Sequence, residues 1–85
     1  MTNNIKVIND LGAALSSSTR VSILRLVTIS PMPVGALAKV VGIAQSTASY
    51  HVSSLIRAGL VSVREDGARR VVQGRYRGLR VALVS

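Results

Sequence analysis

Between Gly42 and Val61 the chain reads GIAQSTASYHVSSLIRAGLV, and its polar side chains are unusual for a short soluble segment. Gln45, Ser46, Thr47, Ser49, Tyr50, His51, Ser53 and Arg57 supply donors and acceptors, and the stretch has no carboxylate. A hydroxyl is short and both donates and accepts. It permits close approach to a surface of mixed donors and acceptors without fixing one partner. A glutamine amide can pair with an adenine edge through two bonds, which makes Gln45 a candidate base reader. This is chemistry suited to the edges of nucleic acid bases.

Those residues need a helix to present them. At 100° per residue, Gln45 to Ala58 places Ala48, Val52, Leu55 and Ile56 on one arc, the pattern of a buried face. The opposite arc carries Ser46, Tyr50, Ser53, Ser54 and Arg57, with Thr47 beside it and Ser49 and His51 on the flanks. Gln45 falls near the buried side. A face made polar only for solubility would use Glu and Lys, which are better helix formers than Ser and Thr. Tyr50 is expected at a groove or phosphate, with a hydrophobic lid as the alternative. His51 is expected at the boundary of core and surface, donating to a phosphate or a backbone carbonyl.

A short helix is predicted just before, from Val34 to about Val41, with Leu37, Val40 and Val41 inward. Gly42 is the expected residue past its end, where a positive φ is needed. Short helix, glycine turn and second helix form a helix-turn-helix, which places its second helix in the DNA major groove, N-terminal end first. Gln45, Ser46 and Thr47 are then at the tip, where backbone N–H groups also attract phosphate.

From Leu60 the apolar period changes to two. Leu60–Arg64 reads as a strand, Asp66-Gly67 as a hairpin signal, and Arg69–Gln73 as the return. Arg64, Arg69 and Arg70 bracket the Glu65–Ala68 turn, and such a hairpin beside a helix-turn-helix makes a wing. Acidic residues at its tip argue that the arms make contacts with phosphate or the minor groove. Arg75, Arg77 and Arg80 are expected either to continue that basic surface or to serve another partner, and Leu79–Val84 reads as a last strand.

Upstream, Asn3 or Asn4 caps a first helix reaching about Leu15, with Ile5, Ile8, Leu11 and Leu15 as its apolar stripe. Ser17 or Ser18 caps a second, roughly Thr19–Ile29, in which Val21, Leu24 and Val27 recur at helical spacing. Ser30-Pro31-Met32-Pro33 ends it. The expected fold is mainly α with a small β-hairpin: a winged helix-turn-helix of four helices followed by a two- or three-stranded antiparallel wing, in one domain over residues 1–85.

Charge supports a polyanionic partner. The chain of 85 residues carries a formal charge of +8, with no carboxylate between Asp10 and Glu65 and none after Asp66. It has one histidine, three carboxylates and no cysteine, which leaves no basis for a metal site, a cofactor or a general acid–base pair. An enzyme is therefore not expected. The start lacks the basic and apolar regions of a signal peptide, and no apolar run approaches a membrane span, so a cytoplasmic protein is expected.

The stretch from Leu11 to about Arg70 resembles the ArsR family of winged-helix repressors. The run Leu15-Ser-Ser-Ser-Thr-Arg-Val-Ser-Ile-Leu-Arg-Leu is similar to the family's opening, and Val40-Val-Gly-Ile-Ala-Gln-Ser-Thr-Ala-Ser-Tyr-His-Val and Leu55-Ile-Arg-Ala-Gly-Leu-Val to its turn, recognition helix and exit. The resemblance implies that Gln45, Ser46, Thr47, Ser49, Tyr50 and His51 lie on the DNA-facing element of a cytosolic transcription factor, usually a homodimer. This chain departs from the family at Ala44, where a capping Ser is common. It also has no cysteines like those of metal-sensing members, and the usual C-terminal dimerisation helix is not expected.

The expectation is a sequence-specific regulator of double-stranded DNA, a repressor. Helix 45–58 reads the major groove and the wing, 60–73, meets phosphates or the minor groove. A homodimer would use helix 5–15, the 79–84 strand, or both. Two alternatives share the fold: an architectural or recombination accessory protein, and a protein-interaction winged helix without a DNA role.

Overall fold

The computed structural model describes residues 17–75. In chain order these form α1 (Ser18–Ile29), β1 (Met32–Pro33), α2 (Val34–Val41), α3 (Gln45–Arg57), β2 (Val61–Asp66) and β3 (Arg69–Gly74). The expected helix ending near Leu15 and the strand at 79–84 lie outside the described residues.

Local chemistry sets the ends of the helices. The Ser17 hydroxyl accepts from the Arg20 backbone N–H at 3.3 Å and so caps α1. Gly42 takes φ 81 after α2, and Ile43 N–H closes the end by donating to the Ala38 carbonyl at 3.0 Å. Gly59, at φ 75, ends α3 in the same way, with Leu60 N–H on the Leu55 carbonyl at 3.0 Å. Ala44 gives α3 no side-chain cap. The helix start there rests on backbone alone, as the missing Ser predicts.

The core lies where the three helices meet the base of the wing. Ile23, Leu24 and Val27 come from α1; Val34, Leu37 and Ala38 from α2; Ala48, Val52 and Leu55 from α3; Leu60, Val61 and Val72 from the hairpin. Val40, expected inward, is 61% exposed, because the buried stripe of α2 follows the i, i+3, i+4 spacing of 34, 37 and 38.

One strand was not anticipated. Met32 and Pro33 pair antiparallel with Val72 and Val71, so the sheet order is β1-β3-β2. Proline suits this edge position because it has no N–H to donate to a ladder. The β2–β3 register runs from Val61↔Gly74 to Asp66↔Arg69. Glu65 and Asp66 therefore belong to the strand, and the loop is only Gly67-Ala68. Gly67 has φ 63 and no non-glycine residue among those described has positive φ, the signature of a type II′ hairpin turn.

Among the described residues no helix is long and apolar enough to cross a membrane, and no three metal-ligating side chains cluster.

Candidate nucleic-acid interface

The exposed side of α3 begins at its first turn. Gln45, Ser46 and Thr47 are exposed there, followed by Tyr50, Ser53, Ile56 and Arg57, while Ser49 and His51 are half-buried on opposite flanks. Tyr50, 61% exposed, stands near the middle of this face. The expected face is thus assembled, with one exchange. Ser54 is buried at 6% and Ile56 is 40% exposed. The buried arc is centred on Ala48, Val52 and Leu55 and turned toward Ser54, so Ile56 passes its edge. Ser54 tolerates burial because its hydroxyl accepts from Arg57 Nη2 at 3.0 Å.

Gln45 is exposed, and its amide lies over α2. A Cβ added to Gly35 would sit 3.5 Å from Gln45 Oε1. This places Gln45 in a cleft of about 590 Å³ whose lining includes Gly35, Lys39, Gln45, Ser49, Arg69 and Arg70. The cleft joins one flank of α3 to the wing and to α2. Lys39, absent from the expected site residues, adds its charge to those of two wing arginines. Its only sequence signal was a basic residue in the short helix before the turn.

The wing carries its arginines on both arms. Arg64 Nη1 lies 3.9 Å from Asp66 Oδ2, and Arg70 Nε lies 4.0 Å from Glu65 Oε1. All four side chains are more than half exposed, so solvent screens these pairs and they remain exchangeable for another anion. Arg69 is exposed and opposite Asp66 in register. The acids thus sit among the wing's cations instead of forming a separate acidic tip.

A second cluster lies on the other flank of α3. Arg20, in the first turn of α1, is only 7% exposed and donates from Nε to His51 Nδ1 at 3.0 Å. Its Cζ lies 5.6 Å from the centroid of the Tyr50 ring. The Tyr50 and His51 rings meet edge to face, with centroids 5.7 Å apart and planes at 65°. Burial, and secondly the Arg20 charge, hold the His51 pKa below its ordinary value. In the sequence Arg20 belongs to a motif that carries no signal of this contact.

Comparison with known proteins agrees with this architecture. Residues 15–64 match the family described as helix-turn-helix domain. No curated protein matches the chain. A similar structure is the homodimeric winged helix-turn-helix DNA-binding domain Mb0332 from Mycobacterium bovis, a possible ArsR-family transcriptional regulator: 26% identity, 96% of this chain and 76% of that one covered, TM-score 0.85. NolR from Sinorhizobium fredii is 29% identical, with 96% and 82% covered and a TM-score of 0.80. A possible transcriptional regulator for arsenical resistance is 32% identical, with 87% and 79% covered and a TM-score of 0.74.

Proposed function

The chain belongs to the helix-turn-helix domain family, and from that premise we propose that it is a sequence-specific regulator of double-stranded DNA, acting in the cytoplasm as a repressor. The winged fold carries α3 as the reading helix. Gln45, Ser46, Thr47 and Tyr50 meet base edges in the major groove, with Ser49, His51 and Ser53 beside them. Arg57, Arg64, Arg69 and Arg70 hold phosphates, and Lys39 joins them.

One observation carries this reading. A helix face of hydroxyls, amide and phenol, without a carboxylate, borders a cleft lined by Lys39, Arg69 and Arg70. Base edges ask for the first feature and phosphates for the second. The homodimeric state of the Mycobacterium bovis domain supports a dimer here, formed through 5–15, 79–84 or both.

Selection of bound fragments from a random DNA pool tests the proposal. A recurring site supports it, and a palindromic site also reports the dimer through its half-site spacing. Ladders on long DNA without any preferred site would replace sequence-specific regulation by an architectural role.

A further inference from the structure

A buried arginine bonded to a histidine on the reading helix calls for an explanation. Arginine is almost never fully buried without a partner. Here the guanidinium of Arg20 reaches from α1 to α3, with Nε on His51 Nδ1 at 3.0 Å and Cζ 5.6 Å from the Tyr50 ring centroid. It thus engages two adjacent side chains of the face described above.

The direction of the bond is chemically unambiguous. Guanidinium has donors and no acceptor, and it does not lose its proton in proteins. His51 Nδ1 must accept, so the single ring proton of the neutral imidazole sits on Nε2. Protonating Nδ1 would abolish the bond and set a second cation against Arg20. The same guanidinium faces the π-cloud of Tyr50, whose ring also meets His51 edge to face. One group from another helix thus contacts both side chains.

We propose that Arg20 is a positioning residue for sequence discrimination: it fixes His51 as a neutral Nε2–H donor and fixes the Tyr50 ring, so that α3 meets DNA with one preset arrangement. This rests on the DNA-reading role of α3. Arg20 acts through its two neighbours and not by touching a base.

Nitrogen-15 NMR of the His51 ring in the intact, unaltered protein is the first test, and it needs no substitution. An unprotonated Nδ1 accepting a hydrogen bond and a protonated Nε2 are expected; an Nδ1–H tautomer would overturn the proposal. The second test compares Arg20→Met, which keeps a long apolar stem and removes donor and charge, with Arg20→Gln, which keeps an N–H donor. Arg20→Met should mix the His51 tautomers and reduce discrimination between the selected site and single-base variants about tenfold, the scale of one hydrogen bond to a neutral partner. Binding to unrelated DNA and its salt slope should stay as they are, and Arg20→Gln should recover part of the discrimination. Unchanged discrimination in a folded Arg20→Met overturns the positioning role while leaving DNA reading intact. Failure of the unaltered protein to bind any DNA at low salt overturns the reading beneath it, whatever the tautomer.

Discussion

Gly74 of β3 packs directly against Thr28 of α1. A Cβ built on Gly74 would lie 3.0 Å from Thr28 Cγ2 and 3.2 Å from Thr28 Cα. The hairpin thus rests on the first helix at a point where a Cβ would require Thr28 to give way by a few tenths of an ångström. Gly74→Ala should destabilise the protein by about 1–3 kcal/mol, the usual cost of overpacking. Urea denaturation measures it. Thr28→Ser removes the nearer methyl while keeping the hydroxyl that donates to the Arg25 carbonyl at 2.8 Å, and should return part of the loss in the double variant. Equal losses with threonine and serine at position 28 would show that the methyl contact is not the cause.

Gly42 makes the opposite case. Nothing lies within 4 Å of a Cβ placed there, yet its φ is 81. Gly42→Ala should cost about 1–2 kcal/mol through backbone conformation alone. Gly42→Asn should cost less, because asparagine tolerates that region better. Denaturation midpoints of the two variants give the comparison.

His51 makes stability depend on pH. Its folded-state pKa is lowered, so between that value and the ordinary 6.5 the unfolded chain binds the extra proton and the folded one does not. Stability should rise with pH across that window and level off above it. Below the folded value the contribution is gone. Unfolding curves from acid to neutral pH should show this slope, and His51→Asn should flatten it.

Ionic strength tests the phosphate contacts. If about six phosphates are neutralised, affinity for DNA should fall roughly a thousandfold between about 50 and 200 mM salt. Fluorescence anisotropy on a labelled duplex reads this directly, and a flat response contradicts the cationic cleft as a phosphate site.

Arg69 and the tip of α3 should separate in kind. Arg69→Ala should weaken all sequences alike and lower the salt slope by about one. Substitutions at Gln45, Ser46 or Thr47 should instead change which sites are preferred. Repeating the pool selection with each variant distinguishes them; unchanged preference after all three substitutions contradicts base reading by this tip.

Several of these features were legible because their causes are local. Gly42 and Ala58-Gly59 announce helix ends through backbone conformation, and Val61 with Val63 announces a strand through period two. β1 was not legible, since two residues have no period and Pro33 suggests only a helix stop. Ser54 and Ile56 changed places because a helical wheel fixes relative angles, whereas packing against the other elements selects which direction is inward. The burial of Arg20 has no signal in the sequence, because hydropathy assigns arginine to the surface. Its bond to His51, 31 positions away in sequence, exists only in the folded chain.

The edge strand β1 has a consequence for selection. It belongs to the connection between α1 and α2, pairs with β3, and leads directly into the helix-turn-helix. Backbone pairing therefore ties the wing to the segment that leads into α3, and under the proposed function this would preset their span, as the jaws of a caliper are set before measuring. On the proposed reading, a duplex that meets both α3 and the wing must bring its groove to that span. Stretches already of that width, or soft enough to reach it, would bind at lower cost, so base pairs touched by no side chain would be chosen through their stiffness.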